Sequence, residues 1–233
     1  MRRLWLLPLL TALLLGAGGV RAEGGVLLGL PVGAPTATVN GAPTPLDSPA
    51  TIVGGRTLVP VRFISEQLGA SVGWNGDTRQ VTVSRVGHTL VLTIAQRDAT
   101  YDQAAIKVDV PPLILHDHTM VPLRLIGERL GAYVGWEVQK RTVWVALGAP
   151  PNLVLMQDMA FKPDKLHVKP GALVVWINAD KEEHTLTDFD NNAYDLDAAG
   201  GEALSLTFSE PGIHRYTCNL HDQMDGSIIV DAP

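Results

Sequence analysis

Between residues 56 and 83 the apolar positions keep two rhythms. Val61, Ile64 and Leu68 recur at helical spacing, which places them on one face of a short helix. Pro60 precedes that run, where proline suits a helix start, and Gly69 follows it, where a glycine closes one. The rhythm then changes to alternation. A short strand leads to Trp74, Asn75-Gly76-Asp77 makes a polar turn, and a second strand runs from Gln80 to Ser84.

The same order returns downstream. RTLVPVRFISEQLGASVGWNGDTRQVTV (56–83) lies over HTMVPLRLIGERLGAYVGWEVQKRTVWV (118–145) at a constant offset of 62, so Leu123, Ile126 and Leu130 repeat the helix face and Gly131 its end. Trp136 takes the place of Trp74. Upstream, ATVNGAPTPLDSP from Ala37 pairs with ATYDQAAIKVDVP from Ala99 at the same offset. Two copies of one helix-and-hairpin unit therefore fill residues 37–148, an α+β tandem repeat, with 23–36 as an N-terminal linker.

From Val154 the pattern becomes short apolar or alternating runs parted by turn residues: LVLMQDMAF, KLHVKPG, LVVWIN, ALSLTF, GIHRYTC, GSIIV. No helical stretch interrupts them. Such spacing predicts an all-β Greek-key sandwich over 154–233, reached through a stiff linker at 149–153 that contains Pro150 and Pro151. The fold class is thus mixed.

At the opposite end, two arginines, an apolar run from Leu4 to Leu15 and small residues up to Ala22 read as a secretory signal peptide over 1–22. The run is short for a membrane span, and no later segment qualifies as transmembrane. The chain is therefore expected to be exported, to a periplasmic or extracellular, cell-envelope setting. The Arg2-Arg3 pair leaves the general and twin-arginine routes both open.

Charge divides the chain as sharply as pattern does. The net charge is −6 overall, yet residues 23–150 carry ten acidic and ten basic side chains, while 151–233 carry fourteen acidic against five basic. A domain at −9 cannot contact phosphates well, which excludes nucleic acid and favours a basic protein partner.

The chain holds a single cysteine, Cys218, so no intramolecular disulfide can form in the oxidising compartment it is sent to. It sits in CNLHDQM, with His221 three positions on and Met224 three beyond that. One thiolate, two imidazoles and a weak thioether suit an ion that cycles between Cu(I) and Cu(II), because the soft sulfurs favour the first state and imidazole accepts both. The loop supplies three of those four donors; His184, just after the strand LVVWIN, is the candidate for the remaining imidazole. His116 and His118 stand where copy one has Gly54 and Arg56, in a turn of the repeat. His167 and His214 fall outside the pattern as surface or structural residues.

Both halves resemble known families. GRTLVPVRFISEQLGASVGW, with the upstream VNG and LDSP, is similar to the stalk-type domain named after the N-terminal region of copper amine oxidases, and the resemblance covers both copies. It does not imply amine oxidase chemistry: NAYD at 192–195 has alanine before Tyr194, where the quinone precursor setting requires asparagine. Residues 153–231 resemble the cupredoxins, the small blue copper proteins such as plastocyanin and amicyanin, on FKPDKLHVKPGALVVWINAD, EEHTL and EPGIHRYTCNLHDQMDGSIIV. That resemblance implies one type 1 copper ion held by His184, Cys218, His221 and Met224, with Met224 axial and His221 as the electron exit. Leu220 departs from the proline that many members carry before the second histidine. The implied function is one-electron transfer, without catalysis, to a redox protein partner such as a cytochrome or a copper oxidase. The repeats would position the domain at the cell envelope. A copper-buffering or copper-delivery protein and a structural cell-surface protein are the alternatives.

Overall fold

The computed structural model describes residues 24–232; the expected signal peptide, 1–22, lies outside them. Two seven-residue helices occur where the apolar spacing predicts them, α1 over Val61–Gln67 and α2 over Leu123–Arg129. Each begins directly after its proline and ends at a left-handed glycine, Gly69 or Gly131. In α1 the Gly69 and Ala70 N–H groups donate to the Glu66 and Ser65 carbonyls at 2.9 and 2.8 Å. This paired closure satisfies carbonyls that the helix end leaves free. Strands dominate everything else, so the repeats contribute only one short helix each to a mostly β chain.

The linker expected over residues 23–36 is replaced in part by a strand. Val26–Pro31 pairs antiparallel with Thr142–Leu147 along its full length and buries Leu27, Leu28 and Leu30. It stands 62 positions before the strand His88–Thr93, so the repeat unit begins at Val26. The reason is topological. The partner strand closes the second copy, at the far end of the repeat array, and nothing near Val26 announces it.

The copies exchange strands. The hairpin Ser71–Asn75/Gln80–Arg85 of copy one is completed by His88–Thr93, Asp98–Tyr101 and Ala104–Lys107 of copy two. The hairpin Tyr133–Glu137/Thr142–Leu147 of copy two is completed in turn by Val26–Pro31, Thr36–Val39 and Ala42–Pro45 of copy one. Between these two five-stranded sheets, Arg56–Pro60 pairs with His118–Pro122 so that Val59 faces Val121. A pseudo-two-fold axis therefore passes between the two valines. Ile64 and Ile126 of the helices, with Leu68 and Leu130 at their ends, share one core with strand residues of both sheets.

The C-terminal domain is a sandwich. One sheet runs Phe161–Lys162, Leu153–Met156, Ala172–Asn178, Ala203–Phe208; the other runs Lys165–Val168, Asp225–Val230, Gly212–Thr217, His184–Asp188, Asp195–Ala198. Trp176, Tyr216 and Phe161 fill the space between them, with Tyr216 edge-on to both neighbours. Edge-to-face contacts of this kind hold aromatic cores in one arrangement.

A buried seam joins the two halves. Leu27, Trp144 and Ala146 pack against Leu153, Val175, Ile177 and Ala203. Within it lies Glu137, 3 % exposed, whose carboxylate accepts from Trp144 Nε1 at 2.7 Å and from Ser205 Oγ at 2.9 Å. Lys140 Nζ reaches the same carboxylate at 3.0 Å and the Ser205 carbonyl at 2.7 Å. A buried carboxylate is tolerable only with its donors in place. Copy one carries Asn75, Thr78 and Thr82 at the matching positions, so the seam belongs to copy two alone.

Trp144→Thr gives copy two the residue of copy one. The expected loss is about 3–5 kcal/mol of seam stability, seen in calorimetry as a lower first transition and separate melting of the halves. An unchanged single transition would contradict the seam.

Candidate metal centre

The strand Gly212–Thr217 runs into Cys218, and Asp225–Val230 leads away from Met224, the two paired from Gly212↔Val230 to Thr217↔Asp225. The loop between them is pinched shut at its base, where Cys218 N donates to the Met224 carbonyl at 2.9 Å. Gly226 makes this possible: Tyr216 ring atoms would lie 2.5 Å from any Cβ there. Burial pushes the Tyr216 hydroxyl pKa up, so the ring stays neutral beneath the loop.

His184 opens the neighbouring strand, His184–Asp188, which pairs with the Cys218-bearing strand at Thr187↔Thr217. The two imidazoles meet at Nδ1, 3.1 Å apart, and Cys218 Sγ lies 3.8 Å from His184 Nδ1 and 3.4 Å from His221 Nδ1. A point just off the plane of these three atoms lies about 2.0–2.1 Å from both nitrogens and about 2.3 Å from the sulfur, the lengths that a first-row ion takes from imidazole and thiolate. The donor set fits copper on chemistry as well, since one soft thiolate between two imidazoles serves both of its oxidation states. Met224 is 1 % exposed and packs in the same core cluster as Cys218.

The surroundings orient these side chains. Asp180 Oδ2 lies 3.1 Å from His184 Nε2, so the ring presents Nδ1 to the cluster. Burial alone would raise the Asp180 carboxyl, but backbone N–H groups of Asp158 and Met159 and the His184 ring outweigh it and hold its pKa below the usual range. Asn178, 1 % exposed, fixes the connecting turn by donating to the Glu182 and Ala198 carbonyls and accepting from Asp180 N. Thr185 N donates to Cys218 Sγ at 3.3 Å, a contact that stabilises negative charge on the sulfur. His184 is fully buried, whereas His221 is half-buried beside the exposed Leu220.

The histidines set aside by the sequence pattern lie elsewhere. His116 occupies a left-handed turn with Asp117, and His118 begins the strand that follows. His167 sits against Asp231, and His214 against the Glu210 carbonyl. Asp180, Asn178 and Thr185 did not emerge from the motif reading. The available signal was a carboxylate four residues before the candidate histidine and a hydroxyl residue directly after it.

Asp180→Asn keeps the shape but removes one carboxylate oxygen and the charge facing His184. Copper affinity should fall about 10–100-fold in a competition titration, with circular dichroism unchanged. Unaltered affinity would show that Asp180 does not orient the ring.

Comparison with known proteins agrees with both halves. The copper amine oxidase N-terminal domain matches residues 20–83 and 38–145, and the copper binding proteins of the plastocyanin/azurin family match residues 152–231. Amicyanin of Paracoccus denitrificans is 34 % identical over an 85-residue alignment that covers 34 % of this chain and 64 % of that protein. A solved amicyanin variant in its oxidized state is 30 % identical, covering 35 % of this chain and 82 % of that one with a TM-score of 0.32. A purple cupredoxin from Nitrosopumilus maritimus is 20 % identical, covering 34 % and 98 %, with a TM-score of 0.30. The chain belongs to the copper amine oxidase N-terminal domain family over its first part, and closes with a copper-binding domain of the plastocyanin/azurin family.

Proposed function

We propose that this is an exported mononuclear type 1 copper protein that transfers single electrons, with His184, Cys218, His221 and Met224 as ligands. The convergence of two Nδ1 atoms and one buried thiolate on a single point carries the reading. Copper, when bound, supplies the one-electron couple. The chain's own contribution is to keep its donors still. Strand pairing clamps both ends of the 218–224 loop, Asp180 holds the His184 ring, and Thr185 N–H steadies charge on the thiolate. Little then has to rearrange between the two redox states.

Access is one-sided. His184 is enclosed, so the half-buried His221 beside Leu220 is the short way between the centre and a partner. The excess of acidic side chains over residues 151–233 steers a basic redox protein, a cytochrome or a copper oxidase, toward that domain. The repeats, joined through the Glu137 seam, hold the domain at the cell envelope in one orientation.

Voltammetry of the protein loaded with one equivalent of Cu(II) tests the function. Electron transfer predicts a reversible one-electron wave that persists over many cycles, with the copper retained against a Cu(I) chelator. Loss of the wave as Cu(I) passes to the chelator would support copper buffering or delivery instead.

A further inference from the structure

The pseudo-symmetry of the repeats provides an internal comparison. Ser71–Asn75 and Tyr133–Glu137 are equivalent strands, and each is the last in its five-stranded sheet. In copy two the edge is taken. The Gly200–Glu202 turn lies alongside it in parallel, Trp136 N donates to the Gly201 carbonyl at 3.1 Å, and Arg124 Nη2 donates to the same oxygen at 3.3 Å. Gly135 must be glycine there, because a Cβ would come within 2.7 Å of Ala203 and 3.2 Å of the Glu202 carbonyl.

Copy one keeps every part of that receptor. Arg62, Gly73 and Trp74 match Arg124, Gly135 and Trp136. No strand flanks Ser71–Asn75 on its outer side among the described residues. A Cβ on Gly73 would meet nothing closer than Thr82 at 3.9 Å. Nothing among the described residues therefore requires glycine at 73, and a glycine inside a strand costs stability unless another backbone approaches closely. Trp74 is 47 % exposed, and among the described residues the one ion pair of Arg62 is with Glu66, at 3.9 Å. Trp74 and Arg62 wall a groove of about 490 Å³ with Asp47, Pro60, Ile114 and His118. The related groove of copy two, about 580 Å³, is built from Asp109, Pro122, Arg124, Trp136 and Ile52.

We propose that the Ser71–Asn75 edge is a docking site for an extended peptide segment of a partner protein, bound as Gly200–Glu202 is bound in copy two. The segment adds beside the edge, presents a small residue over Gly73, and offers one backbone carbonyl to both Trp74 N–H and the Arg62 guanidinium. A whole domain does not fit as occupant. Ser71, Asn75, Thr82 and Ser84 replace the Tyr133, Glu137, Trp144 and Ala146 that line or flank the apolar seam of copy two, so only the edge and groove remain for contact. A second copy of this chain cannot lend its own Gly200–Glu202, which is already engaged.

The probe is a synthetic peptide with the sequence of Asp197–Leu206, added to the full isotope-labelled protein and followed by amide shifts. Saturable shifts are expected at residues 73–75. Arg62→Ala should weaken binding about tenfold by removing a charged donor, and Gly73→Val should abolish it by filling the approach. Gly73→Val should leave the melting temperature unchanged or higher, because the space is open, whereas Gly135→Val should lower it. Absence of saturable shifts at 73–75, or shifts that survive Gly73→Val, would overturn the proposal. A concentration-dependent dimer abolished by Gly73→Val would also overturn it, by putting a second copy on the edge.

Discussion

The pairing of Gly212–Thr217 with Asp225–Val230 is the constraint on which the metal centre depends. It fixes both ends of a short loop, and Cys218 N–H to the Met224 carbonyl draws the base together. Three candidate donors are thereby held in one loop whose shape is set by backbone hydrogen bonds. The strand carrying His184 then joins the same sheet and brings the second candidate imidazole beside them. The tightness of the packing beneath the loop appears at Gly226, where Tyr216 leaves no room for a side chain. Preorganisation of this kind is what an electron carrier requires, since every displacement between redox states would slow transfer.

The repeats extend that rigidity outward. Their strands are exchanged about the Val59/Val121 axis, so neither copy can close its sheets alone. Copy two turns one of those sheets against the copper-binding domain, and the Glu137 carboxylate with its three donors makes the orientation specific. The seam continues toward the candidate donors. Gly201 N donates to the Asn178 carbonyl at 3.0 Å, and the Asn178 side chain accepts from Asp180 N, whose own side chain faces His184. The repeat domain and the metal centre are thus linked by consecutive hydrogen bonds.

Much of this was legible in the residues. Pro60, Gly69 and their counterparts mark both helices to within a residue, and the Cys218, His221, Met224 spacing marks the loop on which the candidate donors lie. The local signals sufficed because caps and loops act over a few positions. Long-range partners left no such mark. Val26–Pro31 reads as linker because its partner lies at the other end of the array, and the exchange of strands between copies is invisible in an alignment of the two. Trp144 and Glu137 differ visibly from Thr82 and Asn75, but only the packed structure shows what they cover. Asp180 stands out less because its one mark, a place four residues before His184, is shared out among the three carboxylates of DKEEH, and only the packed turn shows which of them faces inward.

The most direct test is a visible and electron paramagnetic resonance spectrum of the Cu(II)-loaded protein beside Cys218→Ser. Coordination by Cys218 gives an intense blue thiolate-to-copper band with narrow copper hyperfine splitting, both lost in the variant. A pale spectrum unaffected by the substitution would contradict it, because Cys218 would then lie outside the coordination sphere.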